Sequence, residues 1–211
     1  MIKLKSILVE NVTNTPEFKR WFGGSKAVDN HGNPLVMYHG TTSHPRRFSK
    51  SRIGHSSNIL GSWKIRRHGI FVSENPEIAR EFSDTGPNGS IMPLFIKAED
   101  PIDLRHGLSE GTFNTMEDIA NDMGLNGSQF ARFINNKSGR NAWTLFDEDD
   151  HNDPSIFIEV LRKMDYDSAI IDERYGDGAT WVLFDPLQVK SASGNIGKFK
   201  LDDPNITKEN T

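Results

Sequence analysis

Apolar positions in this chain fall in short runs broken by Gly, Pro, Asn and Asp, which suits brief strands and helices rather than a long bundle. Phe18, Trp21 and Phe22 recur at helical spacing behind Thr15 and Pro16. A helix is therefore expected over 15–22, capped by Thr15 and ended by Gly23 and Gly24. Residues 25–28 and 35–38 flank the turn-forming string Asp29-Asn30-His31-Gly32-Asn33-Pro34 and read as a hairpin. A strand over 69–73 leads to Asn75-Pro76-Glu77, a strong helix start, and that helix reaches residue 83. Residues 91–98 form a further strand, in which Pro93 suggests an edge position or a bulge.

The middle of the chain changes character. Helices expected over 116–123 and 128–135 are joined by Gly- and Asn-rich turns, and the stretch from about 105 to 153 reads as a helical insertion. Asp153-Pro154 opens another amphipathic helix to residue 164, with Ile156, Phe157, Val160 and Leu161 on its inner face. Strands follow over 168–171, 180–184 and 188–192. Residues 42–68 lack periodicity beyond one short helix, and a loop of that length in a compact domain is functional or disordered. The sum is an α+β domain over 15–200, with a mostly antiparallel, broken sheet flanked by short helices. An extension precedes it over 1–14, and a polar tail over 201–211 is expected to fray.

Composition bounds the chemistry. The 211 residues suit one domain, with 35% apolar and 26% charged positions. The absence of cysteine excludes a disulfide framework, a thiolate zinc site and a cysteine nucleophile, and makes a reducing cytoplasm the simplest setting. No apolar run approaches the roughly 20 residues that span a bilayer, and the start is too short in apolar residues for a secretory leader. The seven histidines do not pair at metal-ligand spacing, so no metal is expected. Trp21, Trp63, Trp143 and Trp181 read as core or rim aromatics.

A net charge of -4 argues against wholesale binding of polyanions. The charge is nonetheless segregated. No acidic residue lies between Asp29 and Glu74, an interval that holds Arg46, Arg47, Lys50, Arg52, Lys64, Arg66 and Arg67. The stretch 44–67 reads equally as a site for phosphates, of a dinucleotide or a nucleic acid, or as a solvated loop. The acids Asp147, Glu148, Asp149, Asp150 and Asp153 lack a glycine-hinged calcium spacing and read as solvated.

The feature with most chemical content is Tyr38-His39-Gly40-Thr41, which closes the apolar run Leu35-Val36-Met37. It puts an imidazole at the end of a strand, beside a glycine whose bare backbone would let a planar ligand sit against the peptide. By itself such a histidine is more often structural. Three further motifs follow or precede it: Trp21-Phe22-Gly23, Gly69-Ile70-Phe71, and Phe184-Asp185-Pro186-Leu187-Gln188-Val189-Lys190-Ser191-Ala192 with Gly194-Asn195 and Gly197-Lys198-Phe199. In this order they resemble the ADP-ribosyltransferase domains of phage and mobile-element polyvalent proteins. That group lies within the superfamily of diphtheria toxin and the poly(ADP-ribose) polymerases, and the resemblance covers most of 16–205 outside the insertion.

The resemblance implies an ADP-ribosyltransferase-like split sheet and NAD as ADP-ribose donor, with no metal. It implies that His39 hydrogen-bonds the ribose next to nicotinamide and that the Gly40 backbone holds the carboxamide, within a cofactor-binding run from Tyr38 to Thr41. Phe71 and Phe82 fall where relatives place two tyrosines around nicotinamide; stacking needs only a π face, so Phe serves. Ser73 follows Phe71 in the same strand, while Ala79 stands where polymerases have a carboxamide-contacting serine. Arg46, Arg47 and Arg52 are candidates for the pyrophosphate, within a donor-side lid over 42–68. Thr180 occupies the position of the catalytic glutamate, with Asp177, Glu173 and Asp172 just upstream. A carboxylate there would stabilise the oxocarbenium character that develops at the ribose; threonine brings no charge.

The expected function is thus mono-ADP-ribosyl transfer to a macromolecular acceptor, protein or nucleic acid, with the insertion as acceptor platform. A phage-encoded enzyme would act in the host bacterial cytoplasm, away from the membrane. Two alternatives stand beside it: a module that binds NAD, ADP-ribose or nucleic acid without turnover, and an NAD glycohydrolase.

Overall fold

The computed structural model describes residues 12–42, 45–49, 66–83, 89–148, 153–172, 178–195 and 199–207. The fold is mixed α+β, with short helices against mostly antiparallel strands. The chain divides into two compact units, the first taking 1–52, 72–99 and 185–211 and the second 53–71 and 100–184.

In the first unit, strand β1 (Met37–Thr41) pairs with the end of β3 (Ile70–Ser73) on one side and with β4 (Ser90–Ile96) on the other; β4 also pairs with β9 (Val189–Ser191). Helix α1 (Pro16–Phe22) is capped by Thr15, whose side chain accepts the Phe18 amide. It buries Phe18, Trp21 and Phe22 in an aromatic cluster with Phe95 and Phe199. Helix α2 (Pro76–Ser83) lies against β1, and the Asn75 carboxamide oxygen accepts the Glu77 amide at its start.

Two expectations for this unit give way. The hairpin reduces to a single bridge between Val28 and Pro34, flanked by the Asp29 amide on the Asn33 carbonyl and the Leu35 amide on the Ala27 carbonyl, and Asp29 closes the turn on the amides of His31 and Asn33. Pro93 is neither at an edge nor in a bulge: it pairs with Tyr38 inside the sheet. Its polar edge faces β9, where its carbonyl accepts the Ala192 amide, so the missing N–H falls at the end of that ladder.

The tail also departs from expectation. Ile206 is fully buried; its amide donates to the Arg46 carbonyl at 3.0 Å and its carbonyl accepts the Ser191 amide at 2.9 Å. Lys190, 1% exposed, donates its ammonium to the carbonyls of Asp203 and Asn205. Buried charge demands such oxygens, and the tail supplies them. A polar composition had concealed the one apolar anchor.

The second unit holds β5 (Pro101–Asp103), β7 (Ser168–Ile171) and β8 (Thr180–Leu183), with β5 parallel and β8 antiparallel to β7. The expected insertion contains α3 (Glu110–Asp122) and α4 (Gly127–Lys137), both starting earlier than their apolar periodicity suggested because Ser109 and Asn126 cap them. They are part of the unit's core: Met116, Ala131 and Ile134 pack with Leu104, Phe146, Leu161 and Val182. Helix α5 (Pro154–Lys163) adds Phe157, Ile158, Val160 and Leu161. Among the described residues, no helix is long and apolar enough to cross a membrane.

Asp153 caps α5, accepting the Ser155 amide at 2.9 Å. The Ser155 hydroxyl bond holds its carboxyl below the ordinary 3.8. Because the folded value is the lower one, the cap's contribution is complete above the unfolded pKa and is lost as pH falls through the folded one. Asp153→Ala should cost about 1 kcal/mol at neutral pH. In chemical denaturation, the gap from wild type should close once the pH is taken well below 3.8. A gap constant with pH would assign the effect to something other than the carboxylate.

Candidate active site

The site-bearing strand β1 is oriented by its register with Pro93. The carbonyl of Pro93 is engaged by Ala192, so its polar edge faces β9 and the Tyr38–Pro93 pair carries no ladder bond. Strand alternation then directs the amides and carbonyls of Met37, His39 and Thr41 toward β4. Those of Tyr38 and Gly40 turn toward the β3 side. There Tyr38 pairs with Ser73, and Gly40 lies beyond that pair.

Side chains alternate too, so Met37, His39 and Thr41 share one face while Tyr38 and Gly40 share the other. On the Gly40 face sits α2. A Cβ at residue 40 would lie 1.8 Å from the Ala79 carbonyl oxygen and 2.9 Å from the Phe82 Cβ. The expected bare peptide face is therefore filled by a helix, and Gly40 is required for the close approach of α2. What remains for a ligand is the edge of the peptide, its N–H and C=O. The same contact puts Phe82, half-buried on α2, beside Gly40.

The His39 imidazole is half-buried and meets the Phe48 ring edge to face, at 5.0 Å between centroids and 84° between planes. Phe48 was not singled out by sequence reasoning. The available signal was its isolation as a large aromatic within a Ser- and Arg-rich stretch. Arg46 and Arg47 precede it with exposed side chains, and Arg47 forms an antiparallel bridge with Asn205. Ser73 is buried, and its hydroxyl oxygen accepts the Asn75 amide at 3.1 Å, which ties it to the start of α2. Arg52 and Asp177, together with Glu173, lie outside the described residues.

In the second unit, Gly69 takes φ +110°, and a Cβ there would lie 2.4 Å from Val182 Cγ1, so the glycine of Gly69-Ile70-Phe71 brings β3 onto β8. Phe71 packs edge-on to Phe146 at 6.0 Å. The Arg67 guanidinium lies 5.1 Å from the Phe71 centroid and 5.5 Å from that of Trp143. Arg67 also donates to Asp147 at 2.9 Å, within the short ladder of β2 (Arg66–Arg67) and β6 (Asp147–Glu148). His68 pairs with Glu148 at 3.0 Å. The basic stretch thus ends in a mutually neutralised ribbon. Asp147, expected to be solvated, is buried because Arg67 compensates its charge.

Thr180 pairs with Ile171 and is 1% exposed. Its Oγ1 is buried with no hydrogen-bond partner among the described residues. Also among the described residues, no cluster of three or more His, Cys, Asp or Glu is placed to hold a metal ion.

Mixed α+β architecture together with these motifs in this order places the chain in the ADP-ribosyltransferase class. More narrowly, it belongs to the family described as ADP-Ribosyltransferase in polyvalent proteins, whose model matches residues 29–199. No curated protein matches the chain. A solved structure described as the crystal structure of an anti-CRISPR protein is similar over 74% of this chain and 91% of that one, at 16% identity and a TM-score of 0.41.

An orphaned hydroxyl costs about 1–3 kcal/mol, which an isosteric methyl would recover in part. Thr180→Val should raise the thermal midpoint of the ligand-free protein by about 2–4 °C, read by calorimetry. An unchanged or lower midpoint would mean that the hydroxyl is satisfied in solution.

Proposed function

We propose that the chain is an NAD-dependent mono-ADP-ribosyltransferase. It breaks the bond between nicotinamide and ribose and forms a bond from the ribose C1 to a nucleophile of a protein or nucleic acid. Nicotinamide leaves with the bonding electron pair, and the acceptor loses a proton. The observation that carries this reading is the orientation of Gly40, whose amide and carbonyl point together to the β3 side beyond the Tyr38–Ser73 pair. A primary carboxamide offers the matching acceptor and donor, so nicotinamide can continue the ladder as a strand would.

His39 then hydrogen-bonds the adjacent ribose, flanked by Tyr38 and Thr41. Phe82, beside Gly40 in the first unit, presents a ring to nicotinamide. Phe71 keeps the stacking role drawn from the resemblance, and in the second unit the Arg67 guanidinium lies over its ring. That nicotinamide is cationic in NAD makes it a fit occupant of an aromatic face that accepts a guanidinium. Arg46 and Arg47, exposed on the first unit, meet the pyrophosphate, and Arg52 keeps the pyrophosphate role drawn from the resemblance. Thr180 keeps the catalytic-acid position drawn from the resemblance. Without a carboxylate, the oxocarbenium-like transition state is served by positioning and exclusion of water, which implies slow turnover. A phage-encoded enzyme of this kind would work in the host bacterial cytoplasm.

One observation favours a second reading, in which the chain binds NAD or ADP-ribose without turnover: the catalytic-acid position carries a buried, uncharged Thr180.

Incubating the protein with host lysate and adenylate-labelled NAD separates the outcomes. Labelled macromolecules and free nicotinamide support transfer. Free ADP-ribose alone means water is the acceptor, and intact NAD with measurable binding means the second reading. Under the transfer reading, His39→Ala lowers kcat/KM by about 10- to 100-fold. Labelling that falls steeply with added salt marks a nucleic-acid acceptor, and salt-insensitive labelling a protein.

A further inference from the structure

We infer that Phe48 is a positioning residue for His39, and that the docked segment 203–206 is the strap that holds Phe48 in place; the functional consequence rests on the NAD reading above. The connection runs through contiguous groups of the first unit. The Phe48 ring stands edge to face with the imidazole at 5.0 Å. Directly before it, Arg47 bridges Asn205, and the Arg46 carbonyl accepts the Ile206 amide. The Ile206 carbonyl in turn accepts the Ser191 amide of β9, so residues 205–206 tie residues 46–47 to β9 through one isolated bridge and two backbone hydrogen bonds. The segment is held twice. Ile206 is fully buried, and the buried ammonium of Lys190 takes the carbonyls of Asp203 and Asn205.

The physical need for such a strap is plain. Residues 45–49 form no regular strand or helix, so their own backbone does little to hold Phe48. An imidazole on a strand has two soft side-chain torsions, and a ring packed perpendicular to it restricts both. Because a misplacement of about 1 Å at a binding group can cost orders of magnitude in rate, an element far along the sequence gains leverage on the site. The strap acts through Phe48 and His39 and touches no substrate itself.

The test compares Phe48→Leu, Phe48→Tyr and Ile206→Ala with Phe199→Leu, a substitution of a buried ring in the aromatic cluster that serves as a stability control. Two readouts are used: the His39 Cε1–H resonance, assigned by its loss in His39→Ala, and KM and kcat for NAD, or the NAD dissociation constant if the wild type does not turn NAD over. Phe48→Leu and Ile206→Ala should shift the resonance and raise KM by about three- to tenfold, with kcat changed less. Phe48→Tyr should retain wild-type behaviour on both readouts, and Phe199→Leu should lower stability without moving the resonance. An unmoved His39 resonance in Phe48→Leu overturns the positioning role, whatever the protein does with NAD. A shift in Phe48→Leu but not in Ile206→Ala overturns the strap. A moved resonance in a protein that neither binds nor consumes NAD refutes the NAD reading while leaving the contact established.

Discussion

The approach of helix α2 to strand β1 at Gly40 is the constraint on which the candidate site depends. The Ala79 carbonyl oxygen lies 1.8 Å from the place a side chain would begin, so only glycine is compatible with this packing. Closing that gap places Phe82 beside Gly40 and fixes the plane of the peptide. The register with Pro93 then decides which way the edge of that peptide points, because the polar edge of Pro93 faces β9 and leaves Tyr38 a non-hydrogen-bonded partner toward β4. The glycine and this register thus create an outward-facing donor and acceptor next to a histidine. A ligand meets the edge of the strand, because the face is already occupied.

The closing motif, which did much to establish the resemblance, has a structural meaning. Asp185 and Gln188 form a reciprocal cap around the 3₁₀ turn Pro186–Gln188. Gln188 also donates to the Lys97 carbonyl at 2.9 Å, and the Leu187 carbonyl accepts the Trp21 indole at 3.1 Å. Lys190 grips the tail, and the Ser191 hydroxyl oxygen accepts the Gly194 amide at 2.8 Å. Phe199 completes the aromatic cluster with Phe18 and Trp21. Each residue type fits a bond made here, and none of these bonds involves the candidate catalytic groups. The motif secures the frame that presents His39.

What could be read from the residues followed the range of the forces involved. Helices opened by Thr15, Asn75 and Asp153 were legible because a cap is decided within three residues. Strands β3, β7 and β8 were legible as short apolar runs, and the order of motifs gave the fold class. Several misreadings are non-local. Pro93 violates an edge rule only because β9 ends beside it. Asp147 looks solvated until Arg67 is brought opposite it across the β2–β6 ladder. The tail looks frayed until Lys190 and Ser191 are placed beneath Asn205 and Ile206. For the candidate site, His39, Gly40 and Phe82 were picked out as candidates from motif and spacing. Phe48 was not, since the strap we infer to hold it against His39 comes from the far end of the chain.

The central claim is that the edge of Gly40 reads the carboxamide of nicotinamide, and one comparison tests it directly. Binding of NAD should be measured calorimetrically beside that of its nicotinic acid analogue, which carries a carboxylate in place of the carboxamide and differs in nothing else. The analogue lacks the donor that the Gly40 carbonyl needs and sets a negative charge against that oxygen. The account predicts that NAD binds about 100-fold more tightly than the analogue. Equal affinities would contradict it.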